Sequence, residues 1–165
     1  MNRRKSKAAE VAEYDGLHLA EMFSLKTTSF KQTKALAKLL SGEIFYGKNG
    51  ALVFALSGDL GAGKTTFVKG FIAGAGIKRK ITSPTFVLVK SYKVKSYKVY
   101  HIDCYRLKKS KEILDLGLKE ILKNPKNIVL IEWPGIIKKY LPKSAIWIKF
   151  KHGKKENERI ISVKL

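Results

Sequence analysis

Gly58-Asp59-Leu60-Gly61-Ala62-Gly63-Lys64-Thr65 fits the spacing G-x-x-x-x-G-K-[ST], and each residue type in it has a task beside a polyphosphate. Glycines let the loop turn its backbone N–H groups inward, and a helix beginning near Lys64 adds the positive end of its dipole. The Lys64 ammonium reaches β and γ phosphates, and the Thr65 hydroxyl holds Mg²⁺. The motif establishes a phosphate site and leaves the reaction open.

Such a site needs carboxylates near the metal, and acids are scarce here, 13 Asp plus Glu against 34 Lys plus Arg. Two acids stand where strands are expected to end. Glu132 closes the apolar run 128–131, where a carboxylate meets Thr65-bound Mg²⁺ directly or through water. Asp103 ends the run through Val99, His101 and Ile102. The plainer alternative for each is a solvated acid at a strand end. Thr82-Ser83-Pro84-Thr85-Phe86 follows the lysine-rich turn after the phosphate loop, where other NTPases place a loop that senses the γ phosphate; alone it reads as the start of a strand.

The elements that must position these residues follow from periodicity. A short first strand is expected over 22–25, then a helix opened by Ser29 and Gln32 in capping-box spacing and ending near Gly42. The uninterrupted apolar run 51–56 reads as a strand buried on both faces, which puts the glycine-rich turn at the carboxyl edge of a sheet. Phe67, Val68, Phe71 and Ile72 at helical spacing predict a helix over 65–75. A hairpin is expected from 86–90 and 94–102, joined around 93–96, then a helix from Ser110 to Leu122, bent or broken at Gly117. Strands over 128–131, 145–150 and 159–163 complete the pattern. The fold class is α/β: a single P-loop NTPase-like domain over residues 21–165, its central sheet mixed parallel and antiparallel and flanked by helices. Residues 1–20 read as a flexible basic extension, since Arg3, Arg4 and Lys5 are followed by apolar residues interleaved with Glu10, Glu13 and Asp15 rather than by a signal-peptide core.

Composition bounds the rest. A chain of 165 residues with 45% hydrophobic content is sized for one domain. No apolar run approaches the roughly 18 residues of a membrane span, so a soluble, cytoplasmic protein without membrane partners is expected. The single Cys104 excludes a disulfide framework. The net charge of +21 suits polyanions such as tRNA, yet 29 of the 34 basic residues are lysine, as a general lysine drift would also give.

In order along the chain, GDLGAGKTT (58–66), Ser83-Pro84-Thr85-Phe86, His101-Ile102-Asp103-Cys104-Tyr105-Arg106-Leu107 and Ile131-Glu132-Trp133-Pro134 resemble the bacterial TsaE (YjeE) family, over roughly residues 22–164. That resemblance implies a small P-loop ATPase working with TsaD and TsaB to make N6-threonylcarbamoyladenosine at position 37 of tRNAs. It further implies that Gly61, Ala62, Gly63, Lys64, Thr65 and Thr66 bind ATP or ADP phosphates. Thr65 and Glu132 would serve Mg²⁺, and Ser83, Pro84 and Thr85 would form a nucleotide-responsive loop. Asp103 would be a second essential acid and a further metal candidate, so that Lys64, Asp103 and Glu132 carry the chemistry. Trp133 would lie beside the nucleotide, and the Thr27 to Thr33 segment, Thr28 included, near the adenine. Relatives often carry another acid after the Glu-Trp pair, whereas this chain reads Pro134-Gly135-Ile136.

Other residues carry weaker signals. Cys104 is expected in packing, and His101 as a strand-face residue or hydrogen-bond partner rather than a base. Arg106 and Arg159 are candidates for phosphate or partner contacts, equally for exposed ion pairs, and Trp147 is expected in packing. Two other functions fit the motif: a small-molecule P-loop kinase, for which five arginines are few, and a basic tRNA-binding module using nucleotide structurally.

Overall fold

Alternation along the β strands decides which side of the sheet each functional residue faces. The computed structural model describes residues 22–42, 49–78, 81–84, 87–94 and 97–164. The extension expected over 1–20, Thr85 and Phe86, and residues 95 and 96 of the hairpin joint lie outside the described residues. The strands are β1 (Met22–Thr27), β2 (Leu52–Gly58), β3 (Val89–Val94), β4 (Tyr97–Asp103), β5 (Asn127–Glu132), β6 (Ile146–His152) and β7 (Arg159–Lys164). Among the described residues they form one seven-stranded sheet in the order β1-β7-β6-β2-β5-β4-β3. β2 pairs parallel with β5 and β6, and β5 with β4; β3 joins β4, β7 joins β6 and β1 joins β7 antiparallel. The sheet is therefore mixed, as expected: parallel in its centre and antiparallel at both margins.

Helices α1 (Phe30–Gly42) and α2 (Lys64–Gly74) cover one face. Helices α3 (Lys111–Leu114) and α4 (Leu118–Lys123), with a 3₁₀ segment Pro134–Tyr140, cover the other. Gly117, at φ 83°, breaks the third expected helix into α3 and α4. Two glycines in α2 let it lie against α1: a Cβ on Gly70 would strike the Lys34 backbone oxygen, and one on Gly74 the Ser41 hydroxyl. Gly74 is thus a packing residue as well as a helix end.

β5 shows how the core is divided. Ile128 and Leu130 join Phe67, Phe71 and Ile72 under α2, while Val129 and Ile131 join Ile113, Leu118 and Ile137 on the opposite face. Each such buried side chain contributes about 1.5–3 kcal/mol of hydrophobic stabilisation. The pleat continues past the apolar residues, so Glu132 shares the α2 face with Ile128 and Leu130. On β4 the same parity places His101 and Asp103 with Val99, again on the α2 face, and Ile102 behind.

Three details differ from the periodicity. The strand expected over 86–90 is β3, starting at Val89, because the amides of Val87 and Leu88 both donate to the Pro84 carbonyl (2.8 and 2.7 Å) and Leu88 takes φ 61°, making a turn. The capping box at α1 is displaced on one side: the Gln32 amide donates to Ser29 Oγ (3.2 Å), but Gln32 Oε1 accepts from the Thr28 amide, one residue earlier than the motif requires. The 3₁₀ segment after Trp133 was not anticipated, its register being set by Pro134 at its start rather than by apolar periodicity. Among the described residues, no helix is long and apolar enough to cross a membrane.

Candidate functional site

The glycine-rich loop leaves the carboxyl end of β2 and turns directly into α2. Gly61 and Gly63 adopt φ 72° and 103°, a left-handed conformation costly to residues with a Cβ, so this turn depends on glycine at both places. No side chain caps the start of α2, so its first-turn amides face the loop's concavity, the arrangement that receives phosphate. Lys64 is buried. Its Nζ donates to the carbonyls of Gly58 and Asp59, both at 2.7 Å, and lies 3.7 Å from the centre of the Trp133 ring. Burial lowers its pKa below that of an ordinary lysine, against the opposing pull of Glu132, Asp59 and Asp103. The ammonium is thus held against its own loop, within the electrostatic field of three acids.

Strand register then assembles the acids. Leu56 on β2 is opposite Glu132 on β5, and Glu132 is opposite Asp103 on β4, so both carboxylates stand beside the loop that starts two residues beyond Leu56. Thr65 Oγ1 donates to Glu132 Oε2 (2.8 Å), joining two residues 67 positions apart. The other oxygen, Oε1, is 2.8 Å from His101 Nε2, so His101 is indeed a hydrogen-bond partner. Asp103 accepts the Tyr105 amide at Oδ1 (3.0 Å) and the Ser83 hydroxyl at Oδ2 (3.2 Å). Lys90 ties the same loop from β3, its Nζ donating to Thr82 Oγ1 (2.5 Å) and to the Ser83 carbonyl (3.2 Å). Pro84 is buried behind it.

Trp133 takes φ 57° and ψ 52°, a strained conformation for a bulky residue preceding proline. It is held there by its amide, which donates to the Leu56 carbonyl (3.1 Å), and by the Tyr105 ring, 5.0 Å away centre to centre. Trp133 and Glu132 together close a cleft with Leu60, Gly61, Gly63, Lys64, Thr65 and Thr66.

A second cavity lies on the far side of the loop, lined by Phe30, Thr33, Gly61, Gly63, Thr66, Asn157 and Arg159. Arg159 Nη2 donates to the Gly61 carbonyl (3.3 Å) and Nη1 to those of Glu156 and Glu158 (2.6 and 2.8 Å). Phe30 and Thr33 fall within the 27–33 segment expected near the adenine, Arg159 stood out as one of few arginines, and the exposed Asn157 carried no signal in the sequence. Thr28 bonds to Gln32 instead, through its amide and hydroxyl, and does not line either cavity.

The remaining candidates do not line the cleft. Cys104 is buried on the opposite sheet face, its thiol pushed up to about 12 chiefly by burial, so it is packing rather than a nucleophile. β4 ends at Asp103, and Tyr105 lies in the following turn, exposed. Arg106 is exposed, and Trp147 is half-buried with Lys138 Nζ 5.7 Å from its ring centre.

Comparison with known proteins bears on the same residues. The family model "Threonylcarbamoyl adenosine biosynthesis protein TsaE" matches residues 27–161. The chain is 40% identical over 135 residues to the tRNA threonylcarbamoyladenosine biosynthesis protein TsaE of Bacillus subtilis (strain 168), covering 82% of this chain and 81% of that protein. It is 42% identical over 134 residues to the protein of the same name from Rickettsia felis, covering 81% and 74%. The crystal structure of Bacillus subtilis YdiB superimposes with a TM-score of 0.72 at 33% identity, covering 90% of this chain and 88% of that one.

Proposed function

The chain belongs to the TsaE family of tRNA threonylcarbamoyladenosine biosynthesis, and we propose that within that pathway it binds and hydrolyses ATP with Mg²⁺, working with TsaD and TsaB. The observation that carries this reading is the hydrogen bond from Thr65 to Glu132 at the mouth of an uncapped phosphate loop. Two hard oxygen donors converge there. Among the described residues no three His, Cys, Asp or Glu side chains form a metal cage, which suits Mg²⁺, an ion that takes one or two protein oxygens and completes its shell with phosphate and water. Thr65 and Glu132 are the residues that would hold it, and bound there it neutralises charge on the phosphates.

The chain's own groups do the rest. The amides of 61–66 cradle the phosphates, and Lys64 exchanges the Gly58 and Asp59 carbonyls for phosphate oxygens. That exchange offsets the cost of its burial. Asp103, bonded to Ser83, links the nucleotide end of the sheet to a loop able to differ between ATP and ADP states. The cavity beside Arg159 adjoins the phosphate loop, and on this proposal the remainder of the nucleotide is assigned to it. TsaD and TsaB enter through family membership, and tRNA through that complex.

Calorimetry with MgATP and MgADP, and phosphate release with and without TsaD and TsaB, test the proposal. Nucleotide binding by the isolated chain is expected, with slow turnover that the partners stimulate. Lys64→Ala is expected to abolish nucleotide binding and threonylcarbamoyladenosine formation together. Turnover equally fast with and without partners, transfer of the γ phosphate to a small acceptor, or modification surviving Lys64→Ala would overturn it.

A further inference from the structure

We infer that His101 is a positioning residue for Glu132, fixing the orientation in which its carboxylate is presented to the Mg–nucleotide site; this rests on the reading of Glu132 given above. The register sets His101 opposite Leu130, one pleat repeat before Glu132, and on the same face. Diagonal neighbours of this kind meet only when one side chain is long, and the imidazole spans the gap, Nε2 lying 2.8 Å from Oε1. Both side chains are sealed from solvent, at 0% and 2% exposure.

The environment makes an imidazole an expensive choice unless it serves Glu132. His101 shares its face with Val99, where an aliphatic side chain would pack without desolvating a polar ring. Glu132 is its hydrogen-bond partner, and the second ring nitrogen, Nδ1, is buried with no partner among the described residues. A proton on Nδ1 would be a stranded donor, so the proton is assigned to Nε2 and donated to Oε1. With Oε1 occupied, Oε2 alone is turned toward Thr65.

Without that bond the terminal torsion of a glutamate is broad, so the carboxylate plane can turn away from the orientation that points an oxygen at Thr65. Lys64, whose ammonium lies in the field of Glu132, would then compete for the freed oxygen. His101 keeps the acid committed to Thr65 and leaves the lysine to the phosphates. Partners that orient a metal-binding group in this way are typically worth about 10- to 100-fold in metal affinity or activity.

Three variants decide the matter. His101→Gln carries an amide N–H that can reach the position of Nε2, His101→Asn is too short to reach it, and His101→Leu removes the donor. The measurements are the gain in ADP affinity on adding Mg²⁺, by calorimetry against an EDTA control, kcat and KM for ATP with the partner complex, and the melting temperature. His101→Asn and His101→Leu are expected to lose about 10- to 100-fold in kcat and in the Mg²⁺ gain, with metal-free ADP affinity within about twofold of wild type. His101→Gln should recover most of both.

A purely structural role predicts a different pattern, with metal-free affinity and melting temperature falling together and no rescue by glutamine. That pattern, or wild-type kcat and Mg²⁺ gain in His101→Asn, overturns the inference. If His101→Leu fails to fold, the contrast between the two amide variants still decides. A wild-type protein lacking any Mg²⁺-dependent nucleotide binding would instead overturn the functional reading, and this inference with it.

Discussion

Glu132 and Asp103 end adjacent parallel strands, sit opposite each other in register and face the same helix, yet they are anchored to different parts of the molecule. Glu132 is bonded to Thr65 in α2 and His101 in β4, both within regular elements. Asp103 is bonded to Ser83 and to the Tyr105 amide, both in connecting segments. The strand ends provide the two acids with similar positions. Their hydrogen-bond partners give one a fixed orientation and leave the other coupled to a loop. Under the proposed function, Glu132 would serve a step that needs the same geometry throughout, and Asp103 one that depends on the state of the 81–84 segment.

The largest test of that contrast is Glu132→Ala. It should retain nucleotide affinity better than Lys64→Ala while losing turnover by on the order of 100-fold or more, read as single-turnover phosphate release. Turnover near the wild-type level would remove the distinction between the two acids. Ser83→Ala and Asp103→Asn come next. Each is expected to lower partner-stimulated turnover by about 10-fold, with the double variant far from additive because the two groups share one hydrogen bond. Additive losses would detach Asp103 from the loop. The smallest effect belongs to Cys104, next to Asp103 in the chain but on the other face. With its thiol raised to about 12 and buried, native protein should resist iodoacetamide at mildly alkaline pH, reacting only after denaturation, with ATPase activity unchanged. Loss of activity on alkylation of the native protein would mean that the two faces are not insulated.

The legible features of this site are those whose causes are local. The phosphate loop could be read because its chemistry requires glycines, a lysine and a hydroxyl within eight consecutive residues, and β2 and β5 because uninterrupted apolar runs suit a strand covered on both sides. Glu132 and Asp103 stood out as acids closing such runs in a basic chain. The break at Gly117 followed from glycine's conformational freedom. The hairpin was displaced toward the carboxyl terminus because the Pro84 carbonyl captures two amides in a turn, a preference that β propensity at Val87 and Leu88 does not express. The cavity beside the phosphate loop was legible only in part, through the 27–33 segment expected near the adenine and through Arg159 as a candidate for phosphate contact. Its walls come from α1, the loop itself and residues 157 and 159, and the Arg159 to Gly61 bond spans 98 positions.

Sequence alone therefore determined the phosphate loop, the alternation of elements and the acids available at strand ends, since each depends on backbone preferences and periodicities within a few neighbouring residues. Tertiary structure decided which acid pairs with which partner: β4 lying beside β5 brings His101 to Glu132, and β5 beside β2 brings Glu132 to Thr65. Those pairings follow from strand order and register, which are set by the packing of side chains far apart in the chain. No window of consecutive residues contains the two surfaces that must fit together.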